Sequence, residues 1–234
     1  MLRRVGVFIV GVFALVLALG SAVAATPKRA VFDVTLSGTL TKTWTSRHVV
    51  EGGCDEITTH VGQWRLSLRT TRPTRVVAVG PSGPGRAARF SPGIVRSIAG
   101  TAIRSGSRRV QNQSNACGTN QIAACARKRV SFRGATTAFS SPTRQRIRFG
   151  RLQGIRAARA LAGTCPNEAR EIRAIRTELS VADAPVAIGD LFDRDVPRFF
   201  VSGNAEQETT IEGPYDGTVT ERVRWTLTFT RRKN

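Results

Sequence analysis

The sequence predicts an all-β protein: an antiparallel sandwich or barrel-like sheet built on long hairpins, with one or two short helices in the 152–195 region. Two patterns carry that expectation. Apolar and polar residues alternate with period two near both ends of the chain, and shorter alternating runs lie between them, separated by turn-forming clusters such as Pro81 to Gly85. Composition agrees, since 41% hydrophobic residues can bury a core while only one apolar run is long enough to matter to a membrane.

That run comes first. Arg3 and Arg4 precede an uncharged stretch from Val5 to Ala25, and Ala22, Val23 and Ala24 close it with a small-x-small pattern. A positive start, an apolar middle and a small-residue end describe a secretory signal peptide cleaved after Ala24, leaving 25–234 as a single β-rich secreted domain. An uncleaved N-terminal anchor is the alternative, because about 20 apolar residues can span a bilayer.

Phe32, Val34, Leu36, Leu40 and Trp44 share one phase, while Asp33, Thr35, Ser37, Thr39, Thr41, Thr43 and Thr45 share the other. This is a half-buried strand with one dry face and one wet face. Gly52 and Gly53 turn the chain, and Trp64, Leu66 and Leu68 return against Arg65, Ser67 and Arg69. Ile57, Thr59 and Val61 fall in the opposite phase, which predicts a bulge near Gly62. Shorter strands are expected at about 74–79, 107–112, 127–133 and 144–151. Asn167 can cap a helix over about 167–179, and a short helical turn fits Ile188 to Asp193. A second long hairpin ends the chain. Phe199, Val201, Ala205 and Ile211 share a phase, Glu212 to Gly217 reverse direction, and Val219, Val223, Trp225, Leu227 and Phe229 return.

Cys54, Cys117, Cys125 and Cys165 all follow the leader. In an oxidising compartment an even count implies two disulfides, with three possible pairings, one of which joins Cys117 to Cys125 and Cys54 to Cys165. The spacing contains no CxxC, and neither a metal nor a cofactor is expected.

Charge is the most informative property. The chain holds 36 basic and 16 acidic residues, and no aspartate or glutamate occurs from Ile57 through Asn167, a stretch with 20 arginines and lysines. Codon bias explains why arginine replaces lysine, but acids are readily encoded in the same bias and reappear after residue 167. In a hairpin over 127–151, Arg127, Arg129 and Arg133 would share a face with Arg144, Arg146 and Arg148. Like charges repel across a strand ladder, and arginine forks suit phosphate, sulfate or carboxylate oxygens. These six residues are therefore candidates for binding an anionic extracellular polymer or lipid surface. The competing expectation is that acids from Glu168 onward fold across the basic hairpin and neutralise it.

Catalytic motifs are lacking: there is no GxSxG, HExxH or phosphate-binding glycine loop. The one constellation of reactive types is His48, Asp55 and His60 around the first turn, which would serve a secreted hydrolase. The sequence thus points to a secreted, non-enzymatic binding or envelope-associated protein. The alternatives are that hydrolase and a lipid-carrying β-barrel.

Overall fold

A computed structural model describes residues 28–80, 88–91, 97–112, 115–136, 138–140, 146–149, 184–186 and 188–233. The predicted leader, the 167–179 helix and Cys165 lie outside these residues. The described residues are mostly antiparallel β-sheet, as the alternation predicts.

The described residues form eleven strands: β1 (Arg29–Val50), β2 (Glu56–Thr70), β3 (Thr74–Val79), β4 (Arg89–Ser91), β5 (Ile98–Asn112), β6 (Gln121–Gly134), β7 (Ala138–Ser140), β8 (Arg146–Phe149), β9 (Ala184–Pro185), β10 (Arg198–Thr210) and β11 (Tyr215–Arg231). Among the described residues one α-helix, α1, spans Ile188–Phe192, within the predicted 188–193 turn. The main sheet has eight strands in the order β10-β11-β1-β2-β5-β6, with β3 on β1 and β4 on β3. A second sheet pairs β7, β8 and β9.

β1 is the spine. One of its edges pairs with β11 from Phe32 to His48, and the other pairs first with β3 and then with β2. β2 and β3 run in the same direction along that edge, interrupted by Thr71, Arg72 and Pro73; proline has no N–H to give a ladder. At the break the Thr70 hydroxyl accepts a hydrogen bond from Leu36 N–H at 3.2 Å.

Period two decides which side is dry. Ala30, Phe32, Val34, Leu36, Leu40 and Trp44 of β1 are buried, as are Trp64, Leu66 and Leu68 of β2 and Val219, Val223, Trp225, Leu227 and Phe229 of β11. The densest part gathers Phe32, Phe199 and Phe229. Phe199 stacks on Phe229 with centroids 4.6 Å apart, and Phe32 meets each edge-on at 5.5 and 5.7 Å. Arg231 lies over the Phe32 ring and donates to the carbonyls of Leu191, Asp193 and Val196, which fixes α1 against the end of β11.

The structure corrects three sequence expectations. First, Gly62 carries no bulge, because the β1–β2 and β2–β5 registers run unbroken through it. Thr58 and His60 take the buried phase and Val61 points out, 48% exposed. The sheet keeps its register and accepts polar residues inside. The irregularity falls instead between β5 and β6, at Arg104 to Gly106. Second, Cys54 pairs with Cys117, which rules out a Cys117–Cys125 bond. The two loops carrying them, between β1 and β2 and between β5 and β6, lie side by side because β2 and β5 are paired along their length. Cys125 is disulfide-bonded too. Third, the 127–151 hairpin does not form. β6 pairs with β5, whereas Arg146–Phe149 belongs to the second sheet.

Candidate polyanion-binding face

The outer, solvent-facing side of the main sheet is built from serine, threonine and arginine. Arg222 and Arg224 come from β11, Arg65 and Arg69 from β2, and Arg129 and Arg133 from β6, all exposed. Around them the intervening strands supply uncharged residues, Ser37, Thr39 and Thr41 from β1 and Ala99, Thr101 and Ile103 from β5; farther along the sheet the same phase carries Arg47 on β1 and Arg109 on β5.

Cross-strand register makes this alternation regular. Ala99 lies opposite Arg69 on one side and Arg133 on the other; Ile103 lies in the same way between Arg65 and Arg129. Thr39 separates Arg224 from Ser67, and Thr41 separates Arg222 from Arg65. Charged strands are thus two strand spacings apart, roughly 10 Å. That exceeds the ~8 Å screening length of physiological salt, so repulsion is weaker than for guanidiniums directly opposite one another.

A groove of about 880 Å³ crosses this face. Ser37, Thr39, Ser67, Thr101, Ser131 and Thr226 line it with Arg69, Arg133 and Arg224. Gly38 and Gly100 lie in the same row, each opposite Leu68 and each opposite an aromatic residue of the buried face, Trp225 or Phe132. A Cβ on Gly100 would lie 2.7 Å from the Phe132 ring, so glycine is what lets the ring close over the backbone. A second hollow of about 580 Å³ lies farther along the same face, lined by Thr43, Thr45, Val61, Gln63, Ser105 and their neighbours.

Among the described residues, carboxylates reach this face only at its margin. Glu206 of β10 accepts a hydrogen bond from Arg222 at 2.9 Å, which holds the Glu206 carboxyl below its ordinary pKa and raises that of the guanidinium. Asp33 meets Arg232 at 3.5 Å at another corner. Arg65, Arg69, Arg129, Arg133 and Arg224 form no ion pair among the described residues.

Of the six arginines expected to share one face, Arg129 and Arg133 lie on it. Arg127 is exposed on β6 beside the irregularity. Arg146 is partly buried in the second sheet, Arg148 is placed there by its backbone, and Arg144 lies outside the described residues. Arg65, Arg69, Arg222 and Arg224 are the additions. Period two had already turned them outward, but nothing local in sequence says that β5 stands between β2 and β6.

His48, Asp55 and His60 have different surroundings. His48 packs on the Tyr215 ring with centroids 4.7 Å apart, and the Asp55 carboxylate accepts a hydrogen bond from Gly52 N–H in an exposed turn. His60 is 1% exposed, faces Ser46 across the ladder, and neither ring nitrogen has a hydrogen-bond partner among the described residues. Burial lowers its pKa, and Arg108, Arg104 and His48 lower it further. The buried phase carries more charge that the sequence reading passed over. Lys42 meets Glu221 at 3.3 Å, and Arg104 lies over the Trp44 ring, 5.3 Å from its centroid. Among the described residues no cluster of ligating side chains could hold a metal, and no helix is long and apolar enough to cross a membrane.

Comparison with known proteins gives no match to a family model, a curated protein or a solved structure.

Proposed function

We propose that the chain is an exported, disulfide-bonded binding protein that holds an extracellular polyanion against the outer face of its main sheet. The observation that carries this reading is the set of five exposed arginines on three strands, with no ion pair among the described residues, three of which (Arg69, Arg133 and Arg224) line a hydroxyl-rich groove. Export is supported by the leader pattern of residues 1–24 and by the Cys54–Cys117 disulfide, which suits an oxidising compartment. The hydrolase reading loses support because His60 has no carboxylate or hydroxyl partner. Both concavities described above open on the polar outer face, so neither supplies the dry interior that a lipid carrier needs.

Retention on an immobilised polyanion tests the proposal. The wild-type chain should elute only at raised salt, and Arg69→Ser with Arg133→Ser and Arg224→Ser should lower the eluting concentration clearly. Removing three exposed arginines elsewhere, Arg72, Arg89 and Arg194, subtracts the same charge and should have a smaller effect. Equal shifts from the two triple variants would reduce the binding to net charge alone and reject the face.

A further inference from the structure

Resting on that reading, we infer that the groove takes a linear phosphate polymer with no sugar or base rings, rather than a nucleic acid or a sulfated polysaccharide.

Charge placement favours an extended occupant over a single small anion. Along the groove Arg224, Arg69 and Arg133 stand on alternate strands, β11, β2 and β6, whose backbones are roughly 10 Å apart. Two neighbouring guanidiniums can fold onto one tetrahedral oxyanion, but only a chain running across the strands meets all three.

Hydrogen-bond polarity narrows the class. Among the described residues the groove is lined by no Asp, Glu, Asn or Gln, so these side chains offer guanidinium donors and hydroxyls but no carboxylate or amide acceptor. A carbohydrate presents many hydroxyl donors that want acceptors. A phosphate chain presents almost only acceptors, matching what this wall provides.

The aromatic residues decide against rings. Trp225 and Phe132 belong to the groove's row but turn to the core, 2% and 5% exposed. Phe200, the one exposed phenylalanine of the described sheet, lies on β10 outside the groove and beneath Arg198. Single-stranded nucleic acid is held largely by stacking on exposed rings, and among the described residues the groove itself has no such platform.

The experiment compares ligands at one ionic strength on the full, oxidised chain: linear inorganic polyphosphate, heparin, oligothymidylate and inorganic phosphate. Polyphosphate should bind at least tenfold tighter than heparin or oligothymidylate at matched charge, with inorganic phosphate not competing at equal phosphorus. Thr39→Val with Thr101→Val, which keeps side-chain shape and deletes two hydroxyls, should weaken polyphosphate several-fold and leave the salt dependence unchanged. Heparin or oligothymidylate binding as tightly as polyphosphate would overturn the inference, and so would an indifferent Thr→Val pair. If Arg69→Ser, Arg133→Ser and Arg224→Ser together still weaken every polymer in that case, the polyanion reading survives. If they weaken none, both fall. The ligand comparison uses the unaltered chain and stands even if a variant fails to fold.

Discussion

Gly62 lies directly opposite Trp44 on the buried side of the β1–β2 ladder, and the indole occupies the space that a side chain at Gly62 would need. A Cβ there would fall against Trp44 Cζ2, 2.7 Å from Cε2, and 2.9 Å from the Ser105 carbonyl oxygen. Gly62→Ala should therefore destabilise the protein by about 1–3 kcal/mol, the usual cost of overpacking. Gly53→Ala meets no atom within 4 Å and should stay within ~0.5 kcal/mol of wild type. Denaturant midpoints of the two variants check the contrast.

Cys54 and Cys117 close a loop of 63 residues between two hairpin tips. Replacing both with serine should cost about 2–4 kcal/mol, most of it through the wider freedom of the unfolded chain. Because β2 and β5 stay paired along their length, the variant should keep its far-ultraviolet circular dichroism while its unfolding midpoint drops.

His60 should make the fold acid-sensitive. Its pKa in the folded protein is below the ordinary 6.5, so the unfolded chain takes up the proton more readily. The stabilisation is fully present above about pH 6.5 and is lost as pH falls toward the depressed folded value. The surrounding charges reinforce this direction: Arg108 and Arg104 come from β5, and His48 from β1. Between pH 7 and pH 5 the wild type should lose melting temperature more steeply than His60→Leu. Parallel curves would show that His60 does not titrate differently on folding.

Lys42 and Glu221 face each other across the β1–β11 ladder, with side chains only 5% and 18% exposed. Lys42→Met removes the cation facing this largely buried carboxylate and should cost about 3 kcal/mol, while the double variant with Glu221→Leu should recover part of that loss. A double-mutant cycle of unfolding free energies measures the coupling.

Much of this fold is legible residue by residue. The alternation of Phe32, Val34, Leu36, Leu40 and Trp44 sets the dry side of β1 without further help, and the same logic orients β11. Lys42 shares that phase and was legible in principle, but a lysine between Leu40 and Trp44 declares nothing about the carboxylate opposite. The reading failed where long-range pairing decides. Ile57 and Val61 suggested a register slip; the ladder instead turned them outward and buried Thr58 and His60, because neighbouring strands on both sides hold β2 in place. The arginine face shows the same limit. Guanidiniums at Arg129 and Arg133 were visible on one side of a strand, but their partners depend on strand order, which short-range periodicity does not encode.

The pairing of β1 with β11 joins residues as distant as Phe32 and Arg231. A ladder between segments so far apart cannot zip up until both are available, and such non-local contacts make folding slow. While the C-terminal segment is still being synthesised, β1 lacks one edge partner and the aromatic cluster lacks Phe229. Until then the central ladder stays open on one side, an edge that a premature partner strand could occupy.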